Sequence, residues 1–116
     1  MSDSLHELRE ALRAFAAERD WDQFHSPRNL ATALAVEAAE LLEPFQWLTE
    51  EQSGKLPPDT RAAVEEELAD VLLYLVRLAD KLDVDLAGAA RAKIVRNAEK
   101  YPVEKSRGSS RKYDAP

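Results

Sequence analysis

Val64-Glu-Glu-Glu67-Leu68-Ala-Asp70-Val71-Leu72-Leu73-Tyr74-Leu75-Val76-Arg77-Leu78-Ala-Asp80-Lys-Leu82 holds no glycine and no proline, and its apolar residues recur at Val64, Leu68, Val71, Leu75, Leu78 and Leu82. Steps of three and four residues are the period of an α-helix, so the stretch reads as one long helix. Leu72, Leu73 and Val76 fall off that stripe, which leaves the helix apolar nearly all round. Such a helix is normally buried on several sides. A chain of 116 residues has few elements with which to cover it. A second copy of the chain is the simplest cover, so homo-oligomerisation is expected.

The flanking sequence carries the same period. Leu5, Leu8, Leu12 and Phe15 predict a helix over residues 4–19, and Asp20 to His25 breaks it as a loop. Ser26-Pro27 is a helix start, with Ser at the N-cap and Pro at the first helical position, where its missing N–H costs nothing. The second helix runs to about Leu42 and is stopped by Pro44. Thr49-Glu50-Glu51 opens one short turn, and Gly54 to Pro58 is a break. Asp59 or Thr60 caps the long third helix, which ends near Leu82, and Asp85 caps a fourth that ends at Tyr101-Pro102. No stretch alternates as a strand would. The expected fold is all-α, a four-helix antiparallel bundle over residues 1–102, followed by an extended or mobile basic tail over 103–116.

Two acidic couples stand on the second and third helices, Glu37-x-x-Glu40 and Glu67-x-x-Asp70. Residues three apart share a helix face, so each couple aims two carboxylates at one place. At about 100° per residue, Glu37 projects within roughly 20° of Leu30 and falls inside the stripe of Leu30, Leu34 and Leu41. An acid there is expensive unless it is paired or ligated. If the two helices pack antiparallel, the four carboxylates meet, and like charges repel unless a cation sits among them. Hard divalent cations such as Mg²⁺ take oxygen ligands and work with bound phosphates. The bland competitor is a set of solvated acids bridged to Arg13, Arg28 or Arg77, since 33% of the chain is charged.

Composition narrows the partners. A formal charge of −6 and a pI near 4.9 argue against long nucleic acid, which needs a basic face. They leave room for a mononucleotide whose charge is met by Mg²⁺ and a few lysines. The stretch Val71 to Leu78 is far too short to span a membrane. The start has neither a basic n-region nor an apolar h-region, and there is no cysteine, which fits a reducing, cytoplasmic setting. Lys93, Asn97 and Lys100 form a polar stripe on the fourth helix that suits phosphate oxygens; as a bland reading they are a solvated face near a helix C-terminus. Trp21 and Trp47 lie in loops, with Phe24, His25 and Tyr74 available beside them. Such aromatics either stack on a flat base or plug the ends of a bundle.

Glu37-Ala-Ala-Glu40 with Glu67-Leu-Ala-Asp70 resembles the metal signature of the MazG-like, all-α nucleoside triphosphate pyrophosphohydrolases. Trp21-Asp-Gln-Phe-His-Ser-Pro-Arg-Asn-Leu30, Phe45-Gln-Trp47, Lys100-Tyr-Pro102 and Arg107-Gly-Ser-Ser-Arg-Lys-Tyr113 extend the likeness to the dCTP pyrophosphatase branch, across about residues 5 to 113. The resemblance implies a Mg²⁺-dependent hydrolase that converts a dNTP, dCTP or a modified dCTP, to the dNMP and pyrophosphate, in a nucleotide-pool cleaning role. It implies that Glu37, Glu40, Glu67 and Asp70 hold the metal and carry catalysis. By the same carry-over, Trp21, His25, Trp47 and Tyr74 line the base and sugar pocket, and Lys93, Asn97 and Lys100 grip phosphates. It also implies a dimer or tetramer. Val36 departs from the family's pattern, since many members carry a further Glu there. The alternative from another class is a non-catalytic helical interaction protein with a structural cation site.

Overall fold

The computed structural model describes residues 4–111. Its elements are helical throughout: α1 (Ser4–Glu18), α2 (Pro27–Leu42), α3 (Glu50–Ser53), α4 (Pro58–Lys81), α5 (Leu86–Lys100) and α6 (Val103–Ser106), with 3₁₀ turns at Asp22–Phe24 and Glu43–Phe45. Among the described residues there is no strand. The chain divides into two compact units, Met1–Val84 and Asp85–Pro116.

Local chemistry sets most helix ends. The Ser26 side chain accepts from the Asn29 N–H ahead of Pro27, so α2 opens as its sequence dictates. Thr49 and Gln52 form a reciprocal capping box on α3, and Asp85 accepts from the Gly88 N–H at the start of α5. The start of α4 corrects the sequence reading. Neither Asp59 nor Thr60 caps it; Pro58 takes the first helical position behind an extended Pro57 at φ −60° and ψ 155°. A residue before proline is pushed to extended backbone, and proline suits N1, so the Pro57-Pro58 pair fixes the boundary.

The far ends of α1 and α4 close alike. Asp20 and Asp83 both take φ 54°. Behind them, the Trp21 N–H reaches the Ala16 carbonyl at 2.9 Å and the Val84 N–H reaches that of Ala79 at 2.8 Å. Both are Schellman closures in which aspartate fills the left-handed position usual for glycine. The first of them turns the chain so that the Trp21 ring meets Phe15 edge-on, 5.6 Å between centroids.

Within the first unit, α4 packs most extensively on α2 and also on α1. Leu30 shares a cavity wall with Leu73, Tyr74 and Arg77, whereas Glu37, further along α2, meets Glu67 and Asp70, earlier on α4. The two helices therefore run antiparallel. Arg13 ties α1 to α4 through a two-pronged contact with Asp80, with Nε at 2.8 Å from Oδ2. That guanidinium holds the Asp80 carboxyl below the usual range.

Burial departs from the simple stripe. Among the described residues the buried apolar side chains are Ala16, Leu30, Val64, Val76 and Ala79. Leu68 and Leu82, both in the sequence stripe, are 52% and 54% exposed, while Val76 and Arg77, outside it, are buried. A helix apolar on every side does not declare by periodicity which side faces the single chain's own core. In the second unit, Val103–Ser106 is a helical turn behind Pro102, within the 103–116 segment expected to be an extended or mobile tail; Lys112 and Tyr113 lie outside the described residues. No helix among the described residues is long and apolar enough to cross a membrane.

Candidate active site

The antiparallel α2–α4 pair brings Glu37, Glu67 and Asp70 to one place, each offering a carboxylate oxygen, with all three oxygens within 4.8 Å of one another. Glu37 and Glu67 are half-buried and Asp70 is exposed. Glu37 Oε2 and Glu67 Oε2 are shut off from solvent and accept no hydrogen bond among the described residues. Two shielded carboxylate oxygens side by side require a shared proton or a cation. Glu67 alongside, desolvation by burial, and Glu40 on the next turn together push the Glu37 carboxyl up to about 7. Glu40, half-buried, thus sits next to Glu37, though its carboxylate lies outside the close set of three. The donor set is all oxygen, which fits a hard divalent cation.

Beside the carboxylates lies a cavity of about 230 Å³ whose wall includes Trp21, His25, Leu30, Asp70, Tyr74 and Arg77. Asp70 belongs to both features, so an anion held by a cation at the carboxylates would continue into an aromatic, apolar recess. That combination suits a flat ring joined to a phosphate chain.

The structure places the other expected residues less tightly. Trp21, His25 and Tyr74 line the cavity. Trp47 does not: it follows the Glu43–Phe45 turn and is 86% exposed. Lys93, Asn97 and Lys100 lie on exposed positions of α5, in the second compact unit. Val36 is 51% exposed and contributes no ligand atom. Arg77 is the residue whose part the sequence did not disclose. It is 6% exposed, the buried charged side chain among the described residues, and it lines the cavity. Its signal was an arginine inside an apolar run, which first reads as a solvated ion-pair partner.

A model of the MazG-like family matches residues 32–115. The chain belongs to the MazG-like family. Mouse (Mus musculus) dCTP pyrophosphatase 1 is 51% identical over 112 residues, covering 95% of this MazG-like chain and 66% of that protein. The human (Homo sapiens) dCTP pyrophosphatase 1 is 50% identical over the same shares. The chain thus spans just under two thirds of the length of these curated relatives. A crystal structure of a pyrophosphatase from Archaeoglobus fulgidus DSM 4304 superposes with a TM-score of 0.82 at 38% identity, covering 88% of this chain and 95% of that one. Glu37, Glu67 and Asp70 all lie within the residues matched by the family.

Proposed function

We propose that this MazG-like chain is a Mg²⁺-dependent nucleoside triphosphate pyrophosphohydrolase that converts dCTP or a modified dCTP to the dNMP and pyrophosphate, in nucleotide-pool cleaning within the cytoplasm. The observation that carries the reading is Asp70, which stands both among the clustered carboxylates and on the wall of the aromatic cavity. The relatives named dCTP pyrophosphatase 1 support the substrate class.

Glu37, Glu67 and Asp70 would hold the cation, and Glu40, one turn along α2 from Glu37, would supply the fourth carboxylate. A Mg²⁺ held by them would supply charge neutralisation at the phosphates and activation of a water. The water oxygen bonds to the α-phosphorus as the bond to the bridging oxygen breaks, pyrophosphate leaves, and the proton given up by the water passes to solvent. Trp21, His25 and Tyr74 receive the base and sugar, and their aromatic and apolar faces exclude bulk water. The resemblance alone assigns Trp47 to the base and Lys93, Asn97 and Lys100 to the phosphates; Trp47 stands outside the cavity of the single chain. Pyrophosphate release measured over the four dNTPs with Mg²⁺ tests the reading. Turnover is expected to be greatest with dCTP and absent with EDTA; release from none of the four rejects the enzyme in favour of a structural cation site.

The bundle reading counts four long helices, α1, α2, α4 and α5, and takes the working form as a homo-oligomer, a dimer or a tetramer. Support comes from apolar exposure: Leu68 and Leu72 on α4 are 52% and 37% exposed, and Ile94 and Val95 on α5 are 68% and 60% exposed. Apolar patches of that kind mark interaction surfaces. Light scattering is expected to give at least twice the mass of the 13.0 kDa chain, and Ile94→Lys is expected to lower that mass. A monomer at all concentrations would reject the assembly.

A further inference from the structure

Arg77 has an unusual position for a guanidinium. Its Nε–H donates to His25 Nδ1 at 3.1 Å, its Nη2 to Asp22, and its Nη1 to Asp80 Oδ2 at 3.4 Å. Asp22, in the turn after α1, also accepts from Lys81 Nζ, and Asp80 is gripped by Arg13. The guanidinium is thereby held from the Asp22–Phe24 turn, from His25 directly after it, and from Asp80 on its own helix. Burying a charge in this way gives little net stability over an apolar residue of the same volume. Each of the three nitrogens has a protein partner, three of the five N–H groups being engaged, and the Nε–H arm is the one that meets another residue of the cavity wall.

That residue is His25. Arginine only donates, so His25 Nδ1 must accept, and a neutral imidazole then carries its proton on Nε2. Protonation of both nitrogens would break the contact and set a cation against Arg77 and Lys81. Burial, with the charges of Arg77 and Lys81, accordingly holds the ring below its usual range, and Asp22 opposes them in part. The locked ring lines the same cavity as Trp21 and Tyr74.

We propose that Arg77 is a positioning residue for base recognition: it fixes His25 as the Nε2–H tautomer, so that the imidazole donates a hydrogen bond to an acceptor on the edge of the base held in the Trp21–Tyr74 cavity. The proposal rests on the pyrophosphohydrolase reading for its ligand class, and it goes beyond it by naming how the base edge is read. A site built to donate discriminates against a ring that offers no acceptor there, because the buried donor is left unpaired.

The chain has two histidines, His6 and His25, so ¹⁵N imidazole spectra of the full chain are assigned with a single His6→Gln variant. At pH 7.5 the expected His25 pattern is a protonated Nε2 and an unprotonated Nδ1, with the Nε2–H resonance moving on addition of dCMP. A protonated Nδ1, an averaged pair, or no response to dCMP overturns the proposal, and these readouts need no turnover. If they hold while no dNTP is cleaved, the hydrolase reading fails and the recognition of the base stands. In kinetics, Arg77→Met is expected to raise KM for the preferred dNTP about tenfold, with kcat within about twofold, equivalent to about 1.4 kcal/mol. His25→Ala is expected to give the same loss, and the double variant no more than either single one, as residues acting through one contact do. Additive losses, or a fall in kcat at unchanged KM, overturn it. Arg77→Lys, which keeps the charge without the Nε–H fork, gives the same comparison if the Met variant does not fold.

Discussion

Glu67→Gln is expected to reduce dNTP hydrolysis by about 10²–10³-fold, the usual scale for removing one preorganised electrostatic contact from an active site, and to raise the melting temperature of the metal-free protein. The two effects have one origin. Glu67 Oε2 faces Glu37 with no hydrogen bond to satisfy it among the described residues, and both oxygens are shielded from water. The amide is isosteric, removes one of the repelling charges and adds a donor toward the neighbouring carboxylate. The fold gains what the cation site loses, the pattern expected where a functional site is kept at the expense of stability. Glu37→Gln should behave in the same way. Asp70→Asn should lose activity with little gain in stability, because Asp70 is exposed and its charge is already solvated. Parallel measurements of pyrophosphate release and thermal unfolding with EDTA decide it. Unchanged turnover in a folded Glu67→Gln protein would remove the carboxylates from the mechanism.

Which parts of this site were legible in the sequence follows from the range of the forces involved. The helix starts at Ser26, Thr49 and Asp85 are decided by hydrogen bonds within three residues, and the sequence displays them directly. The two acidic couples are likewise local, since a spacing of three places two carboxylates on one face whatever else happens. The same locality was present in Pro57-Pro58, where proline at N1 outweighs the caps offered by Asp59 and Thr60. The meeting of Glu37 with Glu67 needed the antiparallel pairing of α2 with α4, and it was conditional on that pairing until the structure supplied it.

Arg77 and Trp47 were beyond that reach for opposite reasons. Around α4, apolar residues occupy nearly every direction, so periodicity gave no basis for choosing Val76 and Ala79 over Leu68 and Leu82 as the inward side. Arg77 is buried because Asp22, His25 and Asp80 converge on it, two of them from a turn more than fifty residues earlier in the chain. Trp47 was placed by resemblance at a pocket that the single chain does not build around it. Its ring carries no periodic signal, because it belongs to a connector between helices.

Mg²⁺ affinity is expected to fall about tenfold for each pH unit below about 7 and to be nearly flat above it, following competition with one proton. The Glu37 carboxyl is raised from 4.5 to about 7, with Glu67 the largest cause. The Glu37 oxygen shut off from solvent has no other hydrogen-bond partner among the described residues. A raised carboxyl means that the folded state binds more protons than the unfolded state between those two values. Its contribution to stability is therefore fully present below 4.5 and is lost as pH rises through about 7. The metal-free protein should lose melting temperature between pH 5.5 and 8 relative to Glu37→Gln, which lacks this titration, and saturating Mg²⁺ should restore most at the alkaline end. Calorimetric titration with Mg²⁺ in two buffers of different ionisation enthalpy counts the displaced proton, close to one at pH 6 and close to none at pH 8. The same proton should impose a unit slope on the acid limb of kcat/KM at limiting Mg²⁺, so that catalysis and metal binding rise together with pH. A count near zero at both pH values would mean that Glu37 is already ionised before the cation arrives.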